Sequence, residues 1–188
     1  MSENTNAKYQ INNWFNNAQQ KVTLVRSDKR DLNSMKMLHV CEGSYLGEIV
    51  GTYSKIALCD GYFRLLCAAG DDSIIDINNV VNKNGMPELF PGALIVAYDI
   101  NGNFFALNSG ACKDAEIGNV LYLTKDRFAW ENLGLRYAQF LKWMSGLTSE
   151  DLINNGWRPE AGDKPIANMI EYLIGKAAAY NMFLGQGV

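Results

Sequence analysis

One histidine, four dispersed cysteines and no long apolar run set the first limits on this chain of 188 residues. His39 is the only histidine, so any Ser-His-Asp or Cys-His mechanism would have to run through it. Cys41 lies two positions away, a spacing at which helical neighbours do not face each other, and a partly buried histidine at a helix end is the plainer reading. Cys41, Cys59, Cys67 and Cys112 show neither CxxC spacing nor the density of a secreted scaffold. With one histidine they make a poor zinc set, and they read as small buried hydrophobes that form no disulfide. No GxGxxG, GxxxxGK[ST] or GxSxG pattern occurs, so the common phosphate cradles and the nucleophile elbow are missing. No metal and no cofactor is expected on these grounds. Nothing approaches the roughly 18 consecutive apolar residues that cross a bilayer. The opening MSENTNAKYQ lacks the basic start and apolar core of a signal peptide, which points to a cytoplasmic protein away from membranes. Charge is balanced too: 17 basic against 20 acidic residues leave a net charge of −3, which gives no footprint for nucleic acid.

What is present is an ordinary globular composition, 48% hydrophobic and 20% charged. A chain of this length buries about 70% of its unfolded surface, so it can fold as a single domain without staples. Twenty asparagines supply turns and caps without adding charge. Ile11, Trp14, Phe15 and Ala18 recur at helical spacing over residues 8–20. Val22, Leu24 and Val25 suggest a short strand, and Ser27 can cap a second helix over 28–38. Three glycines within 43–51 predict a loop or a broken helix.

Two hairpins are the strongest local signals. Asp60-Gly61 separates 54–59 from 62–67, and Asn101-Gly102 separates 93–100 from 103–108. Both dipeptides suit a two-residue type I′ turn, which fixes the register. The first turn places Ile56, Leu58, Phe63 and Leu65 on one face, with Ala57, Cys59, Tyr62 and Arg64 on the other. The second puts Phe105 opposite Tyr98 and Phe104 opposite Asp99. Residues 71–91 read as a long connection, 120–124 as a further strand, and 133–144 as an amphipathic helix that Gly146 can stop. A short helix over 148–158 precedes Pro159, and a last helix follows Pro165 with Ile166, Met169, Ile170, Leu173, Ile174 and Ala177 as its stripe. The expected fold class is α+β: a mostly antiparallel sheet of two β-hairpins plus a further strand, flanked by N-terminal and C-terminal helices, in a single domain over 1–188.

The carboxylates near recognisable structure are Asp60, Asp99 and Glu131. Asp60 is explained as a turn residue and Asp99 as the polar end of a strand. Glu131 precedes the 133–144 helix, where a carboxylate favours the N-terminal dipole. Arg64 can stack on an aromatic ring, pair with a carboxylate or bind an anion, and Tyr62 stands beside it on the hairpin. Trp143, at the edge of its helical stripe, and Trp157 are candidate anchors of the kind that interfaces favour. No residue is singled out as catalytic.

From residue 44 to 143 the blocks SYLG, DGYFRLL, PGALIVAYDINGNFFALNSGA and GNVLYLTKDRFAWENLGLRYAQFLKW resemble, in order and spacing, a bacterial family catalogued as domain of unknown function 2625. The resemblance covers an 8–146 core and leaves 147–188 as a C-terminal helical extension. It implies no activity, so it carries no catalytic residues onto this chain. A second resemblance is to the SUKH (Smi/Knr-like) superfamily of immunity proteins. It lies in the order of an FFALN-like strand (104–108), a small-residue loop, a GxV strand (Gly118-Asn119-Val120) and a helix bearing Phe140 and Leu141. That order implies a non-enzymatic protein-binding module, with a basic toxin as a suitable partner for a mildly acidic chain. The enzymatic alternative is carboxylate chemistry in a pocket joining Arg64, Tyr62 and Glu131. The oligomeric state is left open.

Overall fold

The computed structural model describes residues 6–70, 73–82, 90–123 and 129–154. Their centre is a seven-stranded sheet in which every neighbour pair is antiparallel and spatial order follows chain order. The strands are β1 (Thr23–Arg26), β2 (Tyr53–Leu58), β3 (Phe63–Leu65), β4 (Ala93–Asp99), β5 (Phe104–Asn108), β6 (Asn119–Leu123) and β7 (Trp130–Arg136). The fold class is α+β, and the sheet is larger than two hairpins and one strand, because β1 and β7 extend it at either side. The helices are α1 (Ala7–Asn16), α2 (Leu32–Met37), α3 (Tyr45–Thr52), α4 (Ile74–Asn82), α5 (Tyr137–Gly146) and α6 (Ser149–Asn154). Helices α1, α3 and α5 pack on one another, α5 lies against β6 and β7, and α4 packs on β4.

The first hairpin keeps its expected register, but its strands stop at Leu58 and Phe63, because Cys59 leaves the strand at φ 52° with its thiol donating to the Met144 carbonyl at 3.7 Å. Asp60 (φ 57°) and Gly61 (φ 96°) both take positive φ, and the Tyr62 N–H donates to the Cys59 carbonyl at 3.2 Å, which closes a type I′ turn. The expected register follows, with Leu58 opposite Phe63 and Ile56 opposite Leu65.

The second hairpin departs from expectation. Asp99 is buried, and its carboxylate accepts from the Asn101 N–H (2.9 Å), the Asn103 N–H (3.0 Å) and the Asn103 side-chain amide (2.8 Å). That clasp enlarges the loop to Ile100, Asn101 and Gly102, with Gly102 at φ 83° and its N–H on the Asp99 carbonyl. Phe105 therefore faces Ala97 and Phe104 faces Tyr98, and an irregularity between Ile95 and Ala97 shifts the pairing once more. Asn78 of α4 stands in for a strand there. Its amide donates to the Ile95 carbonyl at 2.9 Å and its oxygen accepts the Ile95 N–H at 2.8 Å, just past the end of β3.

Four helical expectations also change. Ser27 does not cap α2; Asp31 does, accepting from the Ser34 N–H at 2.9 Å. Residues 27–31 are instead tied to α3, through Ser27 N–H to Thr52 O, Asp31 N–H to Gly51 O, and the Arg30–Glu48 ion pair at 3.0 Å. The glycine-rich 43–51 stretch forms α3, capped by Ser44. Its glycines are there for close approach: a Cβ on Gly47 would sit 2.2 Å from the Cys41 carbonyl oxygen, and one on Gly51 would sit 2.7 Å from Met35 Sδ. The expected 71–91 connection contains α4. Leu133 belongs to β7 rather than to a helix, and α5 starts at Tyr137. The end of the 148–158 helix, the last helix and Trp157 lie outside the described residues.

Candidate functional site

Two rows of residues paired across neighbouring strands locate most of the sequence candidates. One row runs Ala57, Arg64, Tyr98, Phe104, Leu123, Trp130; the next runs Leu24, Ile56, Leu65, Ala97, Phe105, Tyr122, Glu131. Adjacent rows point to opposite sides of a pleated sheet. Arg64 and Glu131 are therefore on opposite faces and four strands apart, roughly 19 Å at about 4.8 Å per strand step. Glu131 is exposed on β7 opposite Tyr122, not at a helix N-terminus. Tyr62 is half-buried, and its carbonyl accepts the Ile100 N–H at 3.0 Å, which ties the first turn to the second loop. The structure brings Tyr62 and Arg64 near each other in the chain and leaves Glu131 apart from both.

The Phe105 side of the sheet is an aromatic core. The Phe105 ring lies 4.9 Å from Tyr122, 5.1 Å from Phe140 and 6.0 Å from Phe63, centroid to centroid. On the other side Phe90 packs on Phe104 and Trp130. Aromatic contacts of this kind fill the sheet centre with side chains.

Trp143 is placed differently. It is half-buried on α5, 6.1 Å from the Phe140 ring, at the rim of an open depression of about 450 Å³. Gln139, Lys142, Gly146 and Leu147 line the depression with it, and Asp151 closes it from α6. The local sequence builds this corner. The Gln139 side chain accepts the Arg136 N–H at 2.8 Å and starts α5. Thr148 and Asp151 cap α6 reciprocally: Asp151 accepts from the Thr148 N–H (2.8 Å) and hydroxyl (2.7 Å), and its own N–H donates back to the hydroxyl. Those bonds from Thr148 hold the Asp151 carboxyl below its ordinary range. The sequence singled out only Trp143 here. The signal for the rest was the spacing of 139, 142, 143 and 146, which is one helix face beside the core stripe.

The other shifted groups are explained by burial. The Cys59 thiol is pushed up to about 12, and Tyr53 and Tyr137 are raised, each chiefly by loss of solvent. Tyr53 still donates to Asn12 Oδ1 at 3.2 Å, beneath the Arg26 guanidinium. All four cysteines are free thiols, with Cys41 exposed and Cys59 and Cys67 buried. His39 is exposed, with φ 54°. Among the described residues, no three His, Cys, Asp or Glu side chains gather to hold a metal ion, and no helix is long and apolar enough to cross a membrane.

Comparison with known proteins places the chain. It is 27% identical over 141 residues to an uncharacterized protein of Haemophilus influenzae, a match taking in 71% of this chain and 60% of the relative. The chain thus spans less than two thirds of that relative's length. The sequence model of a family described as "Protein of unknown function DUF2625" matches residues 1–171. That match runs past Leu147, so the stretch up to 171 falls within the family along with the expected 8–146 core. On this evidence the chain belongs to the DUF2625 family.

Proposed function

We propose that this protein works by binding another protein, with the α5–α6 corner as its docking surface and Trp143 as the apolar anchor. The observation that carries the reading is the half-buried Trp143 indole on the rim of an open depression, with Leu147 beside it and Gln139, Lys142 and Asp151 around it. An aromatic anchor ringed by polar groups is the arrangement in which a few residues hold most of an interface's energy. The separation of Arg64 from Glu131 leaves the carboxylate-enzyme alternative without a shared pocket.

The partner class proposed is a basic protein, in the manner of an immunity protein that neutralises a toxin. The net charge of −3 and the sequence resemblance to the SUKH superfamily around Phe104–Asn108 support that choice. Affinity purification from the native host tests the reading, with wild type, Trp143→Ala and Gly146→Arg as baits. Gly146 is exposed in the depression with open space at its Cβ, so an arginine there blocks and repels a basic partner and keeps the test valid even where the tryptophan variant folds poorly. The expected result is a partner enriched by wild type and reduced about tenfold or more by both variants. Equal recovery by all three baits overturns the docking surface. Turnover in a substrate screen that Arg64→Ala with Glu131→Gln abolishes, with the fold intact, replaces the binding reading with the enzymatic one.

A further inference from the structure

We draw no further inference here: the strongest candidate, the shallow depression of about 480 Å³ lined by residues 27–33 and Ala69 beside the Arg30–Glu48 ion pair, is a surface on which nothing in the structure shows what covers it.

Discussion

Phe105 and Phe104 are neighbours in one strand with unequal surroundings. Phe105 is fully buried against Phe63, Tyr122 and Phe140, whereas Phe104 packs against Phe90. Phe105→Ala should cost about 3–5 kcal/mol, and Phe104→Ala less, because the three-ring cluster cannot collapse into the space left behind. Urea denaturation of the two variants checks this, and the reverse ranking contradicts the assignment of faces. The cysteines give a second measure at this scale. Cys59 is buried, its thiol pushed up to about 12, and Cys67 is equally enclosed. A thiol reagent at about pH 8 should label Cys41 first and Cys112 more slowly, with four thiols per chain only after unfolding. Rapid labelling of Cys59 in the native protein would contradict its placement.

At the level of elements, α3 reverses a familiar trend. An exposed helical glycine replaced by alanine gains up to about 1 kcal/mol of helix propensity. Gly47→Ala should instead destabilise, because the new methyl would meet the Cys41 backbone oxygen. Gly51→Ala should cost less, since it meets the flexible end of Met35. Thermal unfolding of both variants decides the matter, and a higher melting temperature for Gly47→Ala would refute the close approach. Helix α6 carries a pH signature. The Asp151 carboxyl is lowered in the folded state by Thr148, so its contribution is present above the ordinary carboxylate pKa and is lost as pH falls through the folded value. The Asp151 carboxyl carbon, followed by NMR, should titrate below an unstructured aspartate, and Thr148→Ala should bring it back up.

These elements also show where the sequence was readable. Asp60-Gly61 specified the register of its hairpin, because both residues accept positive φ, and Cys59, which joins them at φ 52°, departs from the expected strand. Asn101-Gly102 carried the same local signal but lost to Asp99, whose carboxylate gathers three donors and enlarges the loop. Glycines in α3 looked like breakers because their purpose is contact with Met35 and Cys41, residues of a neighbouring segment whose position no local pattern reveals. For α4, the asparagines that suggested a loop include Asn78, buried by its bonds to β4. The start of α5 was misplaced because Leu133 fits a helical stripe with Tyr137 as well as it fits a half-buried edge strand. Of the candidate site, only Trp143 was legible. Its neighbours are ordinary helix-surface residues until α6 folds back beside them.

For the whole molecule, the meander builds a wide sheet from local pairings, with helices α1, α3 and α5 packed together and an aromatic core beneath α5. That scaffold fixes α5 through Phe140, Leu141 and Met144, all fully buried, and so holds the next face of the helix, with Trp143, in place. A rigid aromatic anchor loses little freedom on docking, which favours tight association. Electrostatic attraction between a mildly acidic chain and a basic partner should make association faster at low salt than at high salt, which stopped-flow mixing measures. The central claim is tested most directly by calorimetric titration of a recovered partner into wild type and Trp143→Ala, each shown by circular dichroism to be folded. The account predicts that the variant binds weaker by about 2 kcal/mol or more, roughly thirtyfold in Kd. Equal affinity of the two folded proteins for that partner would contradict it.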